Sequence, residues 1–242
     1  MKASPSDQQK ILEIAGLDQR TTALNHRAAT LAEHALLVSV GTKLHNIRDF
    51  RIAAQTELSD VKRDLLRAEA DVEQVVMRIT RDEARLNGGS ASPKELGQLQ
   101  HEVGTLNLRR IELEEIELEV MMRIDDINLR ITELSAQETA FSAEISDLQI
   151  RKENALAAFN SELESIATAR RDTLATVSPE FIALYEKIRA SNNGTGAALL
   201  LAGTCNGCHL SINSVELQRI SKLAQDEVIR CEECRCILVR GV

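Results

Sequence analysis

Asn87-Gly88-Gly89-Ser90-Ala91-Ser92-Pro93-Lys94-Glu95 lies between two long heptad arrays, and its reading decides the fold. Gly88 or Gly89 can take the left-handed conformation that ends a helix. Ser92 then suits an N-cap, Pro93 the first helical position, and Glu95 the reciprocal place in a capping box. A helix ends, the chain turns over residues 87–92, and a second helix starts.

Before the turn the seam reads Leu37, Val40, Leu44, Ile47, Arg51, Ala54, Leu58, Val61, Leu65, Ala68, Val72, Val75, Ile79, Asp82, Leu86. Its steps alternate three and four, the rhythm that keeps one stripe facing a partner helix. Arg51 and Asp82 are its charged members. After the turn the second array carries Leu96, Leu99, Val103, Leu106, Leu113, Val120, Ile124, Ile127, Ile131, Leu134, Phe141, Ile145 and Leu148. Past Lys152 its phase slips, and it continues through Leu156, Phe159, Leu163 and Ile166. Two long seams joined by a short turn predict an antiparallel hairpin, with Leu44 near Ser135 and Ile11 near Thr168. An earlier amphipathic helix, about residues 6–27, offers Ile11, Ile14, Leu17 and Leu24. A break near Ala28–Glu33 is left open, since neither Pro nor Gly forces one. Pro179–Ala190 reads as a short helix, with Phe181, Leu184, Tyr185 and Ile188 apolar.

The other informative stretch is Cys205-Asn-Gly-Cys208 with Cys231-Glu-Glu-Cys234, separated by residues 209–230. Two CxxC pairs at this distance match a four-cysteine zinc site, each loop giving two thiolates to one tetrahedral ion. Cys205-Asn-Gly-Cys-His209 also matches the c-type haem attachment pattern, but that reading leaves the second pair without a role. His209 and Cys236 are close enough to compete as ligands. Cys205, Cys208, Cys231 and Cys234 are preferred, because each pair then forms the same knuckle. Cys236 is expected to be a free thiol on a strand Cys236–Val239. One structural Zn²⁺ with four protein ligands leaves no open position, so it folds a module and does not catalyse. Around it, Ala197–Ala202 predicts a strand. Asn213 and Glu216 predict a capping box opening a helix to about Leu223. Glu227–Arg230 and Cys236–Val239 predict a hairpin. A module of this size has little room for an apolar core, so the metal is expected to supply much of its stability.

Composition agrees. Of 242 residues, 43% are hydrophobic but 2% aromatic, with 11 Gly and 3 Pro. That suits coiled coil better than a compact enzyme core. The expected architecture is mainly α: a long antiparallel coiled-coil helical hairpin over residues 1–178, a short linking helix and linker over 179–194, and a small C-terminal C4 zinc-ribbon domain over 195–242. No apolar run has the length of a membrane span. The start, Met1-Lys-Ala-Ser-Pro-Ser-Asp7, lacks a signal-peptide core, so the expected location is cytoplasmic.

At these residues the chain resembles a bacterial family of C4-type zinc-ribbon proteins with a long coiled-coil hairpin. The resemblance covers essentially the full length. It is carried by Ser92-Pro-Lys-Glu-Leu96 with Leu99-Gln-His-Glu102, by Cys205-Asn-Gly-Cys-His209, and by Cys231-Glu-Glu-Cys234 with Ile237-Leu238. It implies zinc on Cys205, Cys208, Cys231 and Cys234. The family's second knuckle usually continues Gly-Arg-Ile-Leu; here Arg235-Cys236 replaces the first two, so a knuckle glycine is lost and a fifth thiol gained. The resemblance implies an interaction protein, with nucleic-acid binding the activity commonly attached to the ribbon. Some relatives are linked to alternative sigma factors and to flagellar or secretion machinery, although partners change faster than folds.

The formal charge of −8 argues against a strong sequence-independent grip on nucleic acid, which needs basic surface. Basic pairs do occur, at Lys62-Arg63, Arg109-Arg110, Arg151-Lys152 and Arg170-Arg171, and most simply read as solvated helix faces. No nucleophile, base and orienting group are recognisable, so no catalytic residues are expected. The expectation is a non-enzymatic adaptor for protein partners, with nucleic-acid binding through the ribbon as the alternative. A free-standing hairpin and an intermolecular bundle share the same heptads, so the oligomeric state stays open.

Overall fold

The computed structural model describes residues 1–89 and 92–241. Helices α1 (Pro5–Ala29), α2 (Ala32–Asn87), α3 (Pro93–Leu174), α4 (Pro179–Ser191) and α5 (Ser214–Lys222) accompany strands β1 (Ala197–Leu201), β2 (Thr204–Cys205), β3 (Ile229–Arg230) and β4 (Ile237–Arg240). Long helices form a hairpin, and the small strand region is C-terminal. Two compact units emerge from the packing: residues 36–148, and residues 1–35 together with 149–242. This grouping differs from boundaries drawn at element ends near 178 and 194.

In the first unit α2 and α3 run antiparallel. Every α2 seam position named above is buried or half-buried. The turn chemistry is as read: Gly89 has φ 67°, and Ser92 and Glu95 form the reciprocal capping box, with the Ser92 N–H donating to Glu95 Oε2 at 2.8 Å. Ser90 and Ala91, within the expected turn, lie outside the described residues. Register near the turn is within one residue of expectation, since Arg78 meets Glu102 and Glu57 meets Arg123. The charged seam residue Arg51 is satisfied by Glu138 at 2.8 Å, which also accepts from Arg48. Asp82 is 5% exposed, and its Oδ2 has no hydrogen-bond partner.

In the second unit the helix break is real. Thr30 leaves helical geometry at φ −105°, ψ 21°, and its N–H and hydroxyl both donate to the His26 carbonyl. Thr21 and Thr22 make the same hydroxyl-to-carbonyl bond inside unbroken α1, so that bond does not by itself end the helix, and the break occurs without Pro or Gly. The pairing leaves the expected register before this break: Arg48 and Arg51 meet Glu138, where Leu44 was expected near Ser135. Beyond the break Asp18 takes Arg170 and Lys10 reaches the Thr176 carbonyl, where Ile11 was expected near Thr168.

The sheet has the order β2-β1-β4-β3, with β1 and β4 parallel and the other pairs antiparallel. Alternation along the strands divides two cores. Ala197, Ile237 and Val239 pack with Ile11, Ile14, Ala15, Phe181, Tyr185 and Ile188 of α1 and α4. Ala198 and Leu238 pack on the opposite side with Cys205, Cys231, Cys236, Ile229 and Ile220 of α5. Helices α1 and α4 therefore cover one face of the ribbon's sheet. Residues 192–194 are a hydrogen-bonded turn, with Gly194 at φ 90° and its N–H on the Arg189 carbonyl. Asp18 locks the helices of this unit together. It is 5% exposed and accepts from Arg170 at 2.7 Å and from the Tyr185 hydroxyl at 2.7 Å, with Arg189 at 3.3 Å. Burial, then the Asp18 carboxylate, push the Tyr185 hydroxyl well above the usual phenol range. Gly196 backs the ring so closely that a Cβ there would lie 2.4 Å from Tyr185 Cε2.

Candidate metal centre

The first knuckle is aimed by a tight turn. Leu201 pairs with Thr204, and both intervening residues have positive φ (Ala202 49°, Gly203 75°), as a two-residue hairpin turn demands. Cys205 follows at the end of β2. The second knuckle sits between β3 and β4. Both repeat one hydrogen-bond pattern. The Cys205 N–H donates to the Leu210 carbonyl at 3.0 Å, and the His209 N–H to the Cys205 carbonyl at 2.7 Å. Equivalently, the Cys231 N–H donates to the Cys236 carbonyl at 2.9 Å, and the Arg235 N–H to the Cys231 carbonyl at 3.0 Å. The residue after each pair is left-handed, His209 at φ 60° and Arg235 at φ 62°.

This repetition brings Cys205, Cys208, Cys231 and Cys234 together, with all four sulfurs within 4.8 Å of one another. Cys205 and Cys234 are 3.8 Å apart, Cys208 and Cys231 3.9 Å. Tetrahedral zinc with Zn–S near about 2.3 Å needs sulfur separations of about 3.8 Å, so the quartet fits one such ion. Cys205 and Cys231 are buried, Cys208 and Cys234 half-buried. The Gly207 N–H points at Cys205 Sγ, 3.4 Å away, the kind of donor that stabilises a thiolate. Burial first, with hydrogen bonds to the Cys231 and Cys208 thiols adding to it and Cys236 opposing it, pushes the Cys234 thiol up to about 12, and a bound cation would reverse that preference.

Cys236 lies outside the quartet. It precedes β4 and is not on the strand as expected, and it matches Leu210 of the first knuckle. It is fully buried, 3.2 Å from Cys234 Sγ and 3.6 Å from Cys205 Sγ, and burial pushes its thiol up. His209 is exposed and has no part in the sulfur cluster. In α5, Asn213 caps as expected by accepting from the Val215 N–H. Glu216 does not complete the box, because Arg219 takes its carboxylate at 2.6 Å through Nε. The Asp18 network was missed. Its trace in the sequence is an acid on the apolar face of α1, where Leu17 was expected inward and is half-buried instead.

A helical hairpin and a four-thiol ribbon define a class of metal-stapled coiled-coil protein, and no described helix is long and apolar enough to cross a bilayer. Residues 14–193 match the model of the CT398-like coiled coil hairpin domain, and residues 204–238 that of the C4-type zinc ribbon domain. The chain belongs to the family of CT398-like coiled-coil hairpin proteins with a C4-type zinc ribbon, whose four cysteines are positioned for one structural zinc. It is 35% identical to an uncharacterized protein of Mycobacterium tuberculosis, over 99% of this chain and 98% of that one. A solved structure from Mycobacterium smegmatis superposes with TM-score 0.83 at 29% identity, covering 100% of both chains. CT398 from Chlamydia trachomatis shares the fold, with TM-score 0.65 at 20% identity over 97% of this chain and 98% of that one.

Proposed function

We propose that the protein is a non-enzymatic, zinc-binding adaptor that engages protein partners through its hairpin and its ribbon. Zinc sits on Cys205, Cys208, Cys231 and Cys234 and fixes the ribbon. The observation that carries the partner reading is the apolar surface left on both hairpin helices. Val38, Phe50, Ile52 and Leu66 of α2 are more than half exposed, as are Leu108, Leu118, Met122 and Leu129 of α3. Apolar surface of this extent, rimmed by charge, is a feature of interaction sites. Affinity capture of the zinc-loaded chain from its native cytoplasm, with and without nuclease, tests the reading. Stoichiometric protein partners that survive nuclease are expected; their absence counts against the adaptor.

The alternative is nucleic-acid binding through the ribbon. It is favoured by Arg230 and Arg235, side by side at the second knuckle, where Arg230 Nε donates to the Arg235 carbonyl. Against it, the basic pairs on the helices are largely held by acids. Arg63 is on Asp60, Arg109 on Glu112, Arg110 on Glu114, and Arg170 on Asp18 and Glu186. Gel retardation of RNA and DNA over a salt series decides between the two, since phosphate binding must weaken steeply with salt.

A further inference from the structure

The exposed apolar residues of α3 are ordered. Leu108, Ile111, Leu118, Met122 and Leu129 recur in steps of three and four once Glu115 and Asp125 take the two intervening places. All five are exposed, from 48% at Ile111 to 66% at Leu108. This is a second heptad stripe. The seam toward α2 runs through Leu106, Leu113, Val120, Ile124 and Ile127, which are buried or half-buried. At about 100° per residue the second stripe falls on the opposite side of α3. In a two-helix hairpin the face opposite the seam should be polar. Of the other apolar residues here, Met121, 47% exposed, lies at the border between the two stripes, and Ile116, 46% exposed, lies on the seam side. An apolar stripe with anchors at heptad spacing is what a docked helix reads.

The charges say what kind of helix. The arginines of this stretch are spent elsewhere. Arg123 and Arg130 reach across to Glu57 on α2, Arg109 pairs with Glu112, and Arg110 with Glu114. Glu115, Glu119, Asp125 and Asp126 are exposed and have no cationic partner among the described residues. Glu112, Glu119 and Asp126 recur every seventh residue and form a rail along one edge of the stripe. A second copy laid on this face would set these acids against their own kind, and like-charge juxtaposition across an interface is costly. A polyanion is disfavoured for the same reason.

We propose that the outer face of α3 from Leu108 to Leu129 docks an amphipathic helix of a protein partner, whose apolar stripe is flanked by Lys and Arg. This rests on the adaptor reading and names the chemistry of its partner. The probe is a pair of synthetic amphipathic helical peptides with identical Leu at a and d, one with Lys and the other with Glu at e and g. Each is titrated against the full-length zinc-loaded protein. The Lys peptide is expected to bind at least about tenfold tighter than the Glu peptide, and to weaken with salt. The double variant L118Q/M122Q keeps every acid and changes only exposed side chains. It is expected to retain its helical signal and lose at least about tenfold in affinity for the Lys peptide. Equal binding of the two peptides, no binding of either, or unchanged binding by L118Q/M122Q overturns the proposal. So does self-association that L118Q/M122Q abolishes, since the occupant is then a second copy. The same variant separates this proposal from the adaptor reading. Native partners retained by L118Q/M122Q refute this surface alone, whereas a native chain that captures no protein refutes the adaptor reading as well.

Discussion

Arg235 stands where the family resemblance implies glycine, and its φ of 62° shows why glycine suits the place. The knuckle must turn left-handed immediately after its second cysteine, and an L side chain pays about 1–2 kcal/mol for that conformation. Arg235→Gly is therefore expected to stabilise the protein by about 1 kcal/mol, after the extra backbone entropy of glycine is subtracted. Thermal unfolding of the zinc-loaded variant measures it; a lower midpoint would show that the Arg235 side chain contributes more than its backbone costs. Gly196 has the opposite constraint. Its Cβ position is filled by the Tyr185 ring, so Gly196→Ala should cost about 1–3 kcal/mol through overpacking. Asp18 accepts from Arg170 and the Tyr185 hydroxyl and pairs with Arg189 while nearly fully buried, and Asp18→Asn leaves the two arginines with Glu186 as their shared acid. A loss of about 1–3 kcal/mol is expected in denaturant unfolding, because the hydrogen bonds to a buried charged acceptor are weakened. The need for glycine after Cys234 was legible only by resemblance, as no local pattern marks a left-handed residue that is not Gly or Asn. The Tyr185–Asp18–Gly196 arrangement was not legible, because its members come from elements far apart in sequence.

Among the elements, the hairpin was the most readable. Its seams, the Ser92–Glu95 box and Gly89 follow from local signals with a short-range physical cause. The register near the turn follows from turn length. The helix break at Thr30 was not forced by composition, and no local signal in the sequence marks it. The charged seam position at Arg51 has a consequence in pH. The Arg48 hydrogen bond, and then Arg51, hold the Glu138 carboxyl below the usual carboxylate range. A carboxyl with a lowered folded-state pKa adds stability above its unfolded value of about 4.3 and loses it as pH falls through the folded value. Glu138→Gln should therefore lower the melting temperature at neutral pH and make no difference in strong acid. A melting series across the acid range checks this. An equal deficit at every pH would mean that Glu138 acts by packing and not by charge.

For the molecule as a whole, β1, β3 and β4 were predicted as separate strands, but neither β2 nor the sheet as a unit was. Nothing local tells β1 to pair in parallel with β4, or α1 to cover that sheet, since non-local partner choice leaves no periodic mark. The consequence is a ribbon with two kinds of support. Helices α1 and α4 hold one face, and the thiols and α5 hold the other. Chelation should therefore act selectively. Amide exchange in β1, β4 and α5 is expected to accelerate, while the far-ultraviolet helical signal stays nearly unchanged. Wholesale loss of helix would show instead that the metal holds the long helices too. The most direct measurement is elemental analysis of the purified native chain beside Cys231→Ser and Cys236→Ser. One zinc per chain is expected in the native protein and in Cys236→Ser, and a loss of at least about tenfold in affinity in Cys231→Ser. A folded native chain without zinc, or zinc that leaves with Cys236 and stays without Cys231, would contradict the account.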